Sequence, residues 1–473
     1  MSGVTRIFRK HEPLLYFFAV SLTVCFWTFY LLRIVIFKNE LPFEDSAILF
    51  RYADNISEGY GYVYNKSGPW VDGATDIIFT FLLASIGFLG LSALNSYSFV
   101  LSLSLILLVV IPTISLNKRM PSQDSWRQAM ILFSLFTAII AMSPALIYNF
   151  AGFGTIFHTL LIFSSCHLII SHIASKHKSK WWVIEGAIFV VIVNRIESIF
   201  LLFLLFFLLK LNNYLTLKLS FILSVLVVIN FIFLCFIRIL TIGYPLPNAF
   251  YVKGQGKLHF EALTQSFIGV VLSSSLILLL GLVLFIFDKL SITSLFQLAI
   301  GLSILSLLWI AVWLLLSNEM NMAQRFQFPF FGLLLAFVIN MKYISSEKYF
   351  SEFNPHIRRL FMVSIVIIAL ALTSNNFRRT SSFFQVMDGS FAKSIHGSIG
   401  RALNESIPNI EKLTIATTEA GLVPFITKAK TIDLRGLNDK FISHHGPLTS
   451  KQLEFIQGDI YFLHLNWPRS SMG

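Results

Sequence analysis

The chain has 473 residues, of which 56% are hydrophobic and only 13% charged, with 49 phenylalanines and a mean hydropathy of +0.74. This composition excludes an ordinary soluble domain; apolar runs of about 20 residues recur along most of the length, which predicts a polytopic membrane protein. The formal charge of +12 does not argue for nucleic acid, because Lys and Arg sit in short loops between apolar runs instead of forming one stripe.

Arg6, Arg9 and Lys10 precede the first apolar run, Leu14 to Phe37. That run is too long for a signal-peptide core, so it is expected to remain as an anchor with its N-terminal side in the cytoplasm. The next segment, Phe43 to Thr75, is polar, charged and glycine-rich, and is the first candidate for a site. Read as a helix from Ser46, it carries Arg51, Asp54, Asn55 and Glu58 on one face and Leu49, Tyr52, Ala53 and Ile56 on the other. The pattern predicts a helix lying along the bilayer interface with its polar face toward water. Asp45 is expected to cap it, with Glu44 beside it near the positive end of the helix dipole. Gly59, Gly61, Gly68, Pro69 and Gly73 predict a turn-rich return able to fold over a ligand.

The apolar run Asp76 to Leu91 cannot cross without placing Lys118, Arg119 and Arg127 outside, against the positive-inside rule, so it is expected to be a juxtamembrane or re-entrant helix. Spans then follow at Ser96 to Leu116, Ala129 to Phe150, Thr155 to Ile173, Trp182 to Asn194, Ile196 to Leu209, Leu219 to Leu240, Phe267 to Phe287, Leu295 to Leu316, Gln327 to Met341 and Leu360 to Thr373. The expected fold is an all-α polytopic membrane domain over residues 1–373, with about eleven transmembrane helices plus juxtamembrane helices and a first outer loop at 38–75. Residues 374–473 are polar with short apolar strands such as Leu413 to Ala416 and Ile460 to Leu463, and predict a small α/β domain on the outer side. Cys25, Cys166 and Cys235 all fall within apolar runs and define no disulfide framework.

The polar motifs collect on the outer side. Arg195 and Glu197 stand between two apolar runs, where isolated charges are expensive, so they are either a structural ion pair or part of a cavity lining. The loop Gly243 to Lys253 offers Asn248 for hydrogen bonds, Phe250 and Tyr251 for stacking on a sugar, and Lys253 for a phosphate. Arg325, in the segment Asn318 to Pro329, enters an apolar run with a guanidinium suited to a buried anion; equally, Lys253 and Arg325 suit headgroup anchors. Asp45 reads as a plain cap as readily as a catalytic carboxylate, and Tyr52 as an interface aromatic.

Taken together, Glu44-Asp45, Arg51-Tyr52-Ala53, Asn55, Gly59, Gly61, Val63-Tyr64-Asn65, Gly68, Val71-Asp72-Gly73 and Thr75 resemble the first periplasmic loop of bacterial GT-C glycosyltransferases. The closest pattern is the branch containing the terminal arabinofuranosyltransferases of mycobacterial cell walls. That branch usually reads Asp-Asp at Glu44-Asp45, Val-Glu-Gly at Val71-Asp72-Gly73, and Gly-x-Glu-Thr at Gly152-Phe153-Gly154-Thr155. Asn194-Arg195-Ile196-Glu197 resembles its Arg-Pro-Glu, Pro247 to Lys253 its Pro-Asn-Thr-Phe-Tyr-x-Lys, and Arg325-Phe326 the end of its Gly-Gly-Asp motif. Ala416 to Gly421, and Ile432 to Asp439 with His444-His445, also follow its order; the two histidines read by themselves as solvated loop residues, since no third ligand stands at useful spacing.

The resemblance implies a membrane enzyme that moves a single sugar, arabinofuranose among those allowed, from a polyprenyl-phosphate donor to a glycan, lipid or protein acceptor. It implies a multi-pass protein of the bacterial cytoplasmic membrane with its active site and C-terminal domain on the periplasmic side. It assigns catalysis to Asp45 and Glu44. To the donor phosphate and sugar it assigns Arg51, Tyr52, His158, Arg195, Glu197, Asn248, Tyr251, Lys253 and Arg325, and to the acceptor side Asp72, Asp433 and Asp439. No cofactor or metal ligand is assigned, although Glu44 and Asp45 can hold a divalent metal. Two other readings stand beside it: a transporter or flippase of lipid-linked glycan, and a polymerase or ligase joining whole glycans.

Overall fold

The computed structural model describes residues 17, 20–32, 41–119, 125–174, 181–212, 214–254, 257–286, 292–340, 395–445 and 456–463. Arg6, Arg9 and Lys10, the expected span Leu360 to Thr373, and the boundary between residues 373 and 374 lie outside the described residues. Helix α1 (Val20–Leu32) precedes α2 (Glu44–Ser57), α3 (Ile77–Gly87), α4 (Ala93–Arg119) and the pair α5 (Ser125–Ala141) and α6 (Ala145–Ala151). Then come α7 (Thr155–Ala174), α8 (Trp181–Asn194), α9 (Ser198–Leu211), α10 (Leu217–Thr241), α11 (Ala262–Ile286), α12 (Ile292–Val312) and α13 (Pro329–Asn340).

This is a helical membrane protein. Among the described residues five segments are long and apolar enough to cross a membrane: α4, α7, α10, Ala262–Leu284 and Met322–Asn340. Helices α5 and α6 add a sixth if they count as one span, but the run expected to be continuous from Ala129 to Phe150 bends by 66° between them. The bend sits at Ser143-Pro144, where proline lacks the N–H that would continue the α5 ladder. Helix α3 has 11 residues, so at about 1.5 Å per residue it is too short to cross a core of about 30 Å. Helices α8 and α9, expected as spans, have 14 residues each and are also too short to cross upright; they form a hairpin around Arg195 and Glu197.

Helix α10 shows why hydropathy sees these elements clearly. Phe221, Val225, Ile229, Ile232 and Phe236 make an exposed apolar stripe, while Leu223, Val227 and Leu234 are buried, so both faces are apolar. At the centre α7 packs along α13, and a Cβ at Gly332 would lie 2.6 Å from the Thr159 carbonyl, so only glycine permits that approach.

The C-terminal region builds a three-stranded parallel sheet in the order β2-β1-β3, from β1 (Thr414–Thr417), β2 (Lys430–Asp433) and β3 (Ile460–Phe462). Thr414 pairs with Lys430 and Ile415 with Ile460. The short helix Leu422–Thr427 connects β1 to β2, and Ile395–Ser406 packs on that helix. Strand β2 escaped the sequence reading, because Lys430 to Asp433 holds a single strongly apolar residue.

Two expectations about α2 are corrected. The helix begins at Glu44, not Ser46, with Phe43 at the N-cap and no side-chain cap, so Asp45 lies inside the first turn. Nor does its polar face lie open to water along its length: Arg51 and Asn55 are buried and Asp54 is half-buried, Glu58 at the far end being exposed, and the helix Leu422–Thr427 packs directly on α2.

Candidate functional site

A cavity of about 470 Å³ lies among the first turn of α2, the start of α7, the α8–α9 turn, the loop after α10 and the segment before α13. Asp45 faces it, and one carboxylate oxygen accepts from Arg325 Nη2 at 2.8 Å. The Arg325 guanidinium lies 3.8 Å from the centre of the Phe153 ring and 5.0 Å from that of Phe326. Its Nη1 is buried and has no hydrogen-bond partner among the described residues. Lys253 reaches the same space from the loop after α10, donating a long 3.4 Å bond to the Glu319 carbonyl. Burial lowers the Lys253 pKa below its ordinary 10.5, and the neighbouring Asp45 carboxylate partly restores it.

Arg325 is held by a network that the sequence reading did not find. Asn318 Nδ2 donates to the Ala262 carbonyl at 2.7 Å and to Ser266 Oγ at 2.8 Å; Asn321 Nδ2 donates to Gln327 Oε1 at 2.8 Å. Asn321 Oδ1 accepts the Phe326 backbone N–H at 3.0 Å. These amides tie the segment to α11 while its backbone takes left-handed values at Met320 (φ 59°), Ala323 (51°) and Gln324 (59°). Non-glycine residues there cost on the order of 1 kcal/mol each or more, and such outliers gather at sites that the surroundings over-determine.

A second ionic cluster lines the cavity. Arg195 binds Glu197 at 2.6 Å and Asp76 at 3.4 Å. Asp76 also meets Asn194 Nδ2 at 3.5 Å, and burial raises its pKa against the opposing pull of Arg195. A Cβ at Gly154 would lie 3.0 Å from an Asp76 carboxylate oxygen. The space that a longer side chain at 154 would take is filled by a carboxylate from across the fold. The lining as a whole sets Arg195, Arg238, Lys253, Lys257 and Arg325 against Asp45, Asp76 and Glu197, an excess of positive charge. Phe200, Phe231, Phe250, Trp313 and Leu316 supply an apolar wall.

The C-terminal region packs against the site. Leu437 lines the cavity, its carbonyl accepting from Asn248 Nδ2 at 3.2 Å, and Arg435 binds Glu319 at 3.0 Å. Arg51 is the main fastener: it donates to the carbonyls of Tyr64 (2.8 Å), Pro424 (2.5 Å) and Ala429 (2.7 Å) and to Asn65 Oδ1 (3.0 Å). Asn65 in turn exchanges bonds of 2.8 and 2.9 Å with Thr431. Glu44 turns away from the cavity: its two oxygens accept from the backbone N–H groups of Gly421 (2.7 Å) and Leu422 (2.9 Å). Burial raises its pKa to about 8.

Of the residues given a role from sequence, the structure brings Asp45, Arg195, Glu197, Phe250, Lys253 and Arg325 to one cavity. The remaining ones do not line it. Glu44 and Arg51 bind the C-terminal region, as above. Tyr52 accepts the Gly73 N–H at 3.2 Å inside an aromatic cluster with Tyr62 and Tyr64. His158 is buried between Asn194 (3.0 Å) and Ser198 (3.4 Å). Asn248 spans Asp72 and Leu437, and Tyr251 packs on Tyr244 and on His444. Asp72 pairs with Arg238. Asp433 accepts from the Arg435 and Asn438 backbones, and Asp439 from those of Phe441 and Ile442, so each organises its own turn. His444, expected in a solvated loop, stacks on Tyr244 at 3.3 Å between ring centres.

The family model described as Domain of unknown function (DUF8728) matches residues 385–466. The likeness thus covers the C-terminal region. It takes in Gly421 and Leu422, which bind Glu44, and Leu437, which walls the cavity. No curated protein and no solved structure matches the chain.

Proposed function

We propose that this protein is a polyprenyl-phosphate-sugar-dependent glycosyltransferase of the GT-C type, working at the outer face of a bacterial cytoplasmic membrane. The observation that carries the reading is the pairing of Asp45 with Arg325, whose buried Nη1 has no acceptor among the described residues. With Lys253 beside it, this corner offers two cations to a phosphate and one carboxylate to a hydroxyl. A cavity of about 470 Å³ with an apolar wall suits a sugar phosphate and the start of a lipid chain.

In the reaction Asp45 accepts the proton of the acceptor hydroxyl as that oxygen bonds to the anomeric carbon. The bond from the anomeric carbon to the phosphate oxygen breaks, and the charge left on the phosphate is met by Arg325 and Lys253. Arg195, anchored by Glu197 and Asp76, orients the sugar from the opposite side. Glu44, by its direction, positions the helix and is not the base. About eleven spans, with α3 embedded and the C-terminal region outside, complete this reading.

The test is transfer of radiolabelled sugar from synthetic polyprenyl phosphate by the full chain in nanodiscs, assayed across arabinofuranosyl and hexosyl donors. Transfer that depends on Asp45 supports the proposal. Binding of the lipid without turnover for any donor, or vectorial movement of a lipid-linked glycan across liposomes, defeats it in favour of transport.

A further inference from the structure

Away from the cavity, three side chains from distant parts of the sequence converge where the C-terminal region meets α2. Glu44 comes from the first turn of α2, His396 from the helix Ile395–Ser406, and Glu419 from the turn after β1. One ligand atom from each lies within 4.8 Å of the others. His396 Nδ1 is 3.6 Å from a Glu44 oxygen. In a tetrahedral zinc site with ligand bonds of about 2.0 to 2.1 Å, neighbouring donor atoms stand about 3.3 Å apart. The cluster therefore needs only side-chain adjustments to close on an ion.

Glu44 and Glu419 are 7% and 5% exposed, so an ion between them would be shielded from water and held by two carboxylates. A divalent ion balances both with His396 neutral. Glu44 is prepared for it: each of its oxygens accepts one backbone N–H and keeps a second lone pair. The edge of the His396 ring against Phe462 orients the imidazole, and its side chain, 25% exposed, leaves access from solvent.

We propose that Glu44, His396 and Glu419 form a divalent transition-metal site, zinc by its donor set, that clasps the C-terminal region onto the first turn of α2. One imidazole and two carboxylates suit zinc better than calcium or magnesium, which favour all-oxygen shells. The ion acts through position, because Glu44 turns from the cavity while Asp45, the next residue, faces it. The site stands independently of the glycosyl-transfer reading.

The experiment uses the full chain in nanodiscs, with any affinity tag removed, stripped with EDTA and titrated with Zn²⁺ alone. Wild type is expected to retain one zinc per chain after desalting, by elemental analysis, and to melt at a higher temperature with zinc than without. His396→Ala and Glu419→Gln should each weaken binding on the order of a hundredfold or more, since losing a ligand exceeds the loss from an outer-shell partner. Lys253→Ala should retain the metal. To separate ligation from simple packing, His396→Cys loaded with Co²⁺ should show a thiolate-to-metal charge-transfer band. Zinc retention by wild type no better than by His396→Ala, or a Co²⁺-treated His396→Cys protein without that band, overturns the site.

Discussion

Replacing Asp45 by Asn removes one charge from a pair in which the Arg325 side chain is 9% and the Asp45 side chain 20% exposed. Breaking a fully buried ion pair costs about 3–5 kcal/mol, because the remaining charge is stranded. Here the cost is smaller: Asn keeps an oxygen for Arg325 Nη2, and Asp76 and the open cavity still attend the guanidinium. A loss of about 1–2 kcal/mol in stability is therefore expected, about what a charge-assisted hydrogen bond is worth over a neutral one. Removal of a general base instead costs on the order of a hundredfold to ten-thousandfold in rate. The two effects separate when turnover from polyprenyl-phosphate sugar and thermal unfolding are measured on the same nanodisc samples. A variant that stays folded at the assay temperature but loses at least a hundredfold in turnover supports Asp45 as base. Asp45→Glu should keep the ion pair and stability and still lose turnover, because the longer arm moves the oxygen. Asp45→Asn turnover within threefold of wild type would falsify the assignment.

A Cβ at position 421 would lie 1.9 Å from the Glu44 carbonyl oxygen, so Gly421→Ala should loosen the C-terminal region; overpacking of this kind costs about 1–3 kcal/mol or more, and a lowered melting temperature is the readout. Lys253 binds phosphate only when protonated, so affinity for polyprenyl phosphate should fall as pH rises through its depressed pKa, below the ordinary 10.5, and Lys253→Arg should remove that limb. The sign separates this from unfolding: between the depressed value and 10.5 the unfolded chain holds more protons, so the Lys253 contribution to stability grows with pH while binding is lost. Topology reporters inserted at residues 120–124 should read cytoplasmic and at 255–256 periplasmic; the reverse at either position would place the cavity on the wrong side of the membrane for the proposed donor.

The sequence by itself determined the membrane character, an apolar helix at α3, and the location of the polar segments, because apolar run length is a local property that each stretch carries alone. It also picked out Asp45, Arg195, Lys253 and Arg325, since ionisable groups beside apolar runs are too costly to be incidental. Which of them act together was decided by tertiary packing. Asp45 and Arg325 meet across 280 positions, which no periodicity encodes. Glu44 and Asp45 are adjacent and equally acidic, yet successive residues on a helix turn about 100° apart, so one binds the C-terminal region and the other faces the cavity. Arg51 looked like a water-facing or ligand-binding group until its four partners on Tyr64, Asn65, Pro424 and Ala429 were in place. Asp76 was passed over as the first residue of an apolar run, and only the fold sets its carboxylate against Gly154. The amides of Asn318, Asn321 and Gln327 gave no signal either, because hydrogen-bonding residues reveal a network only when their partners, here on α11, are brought alongside.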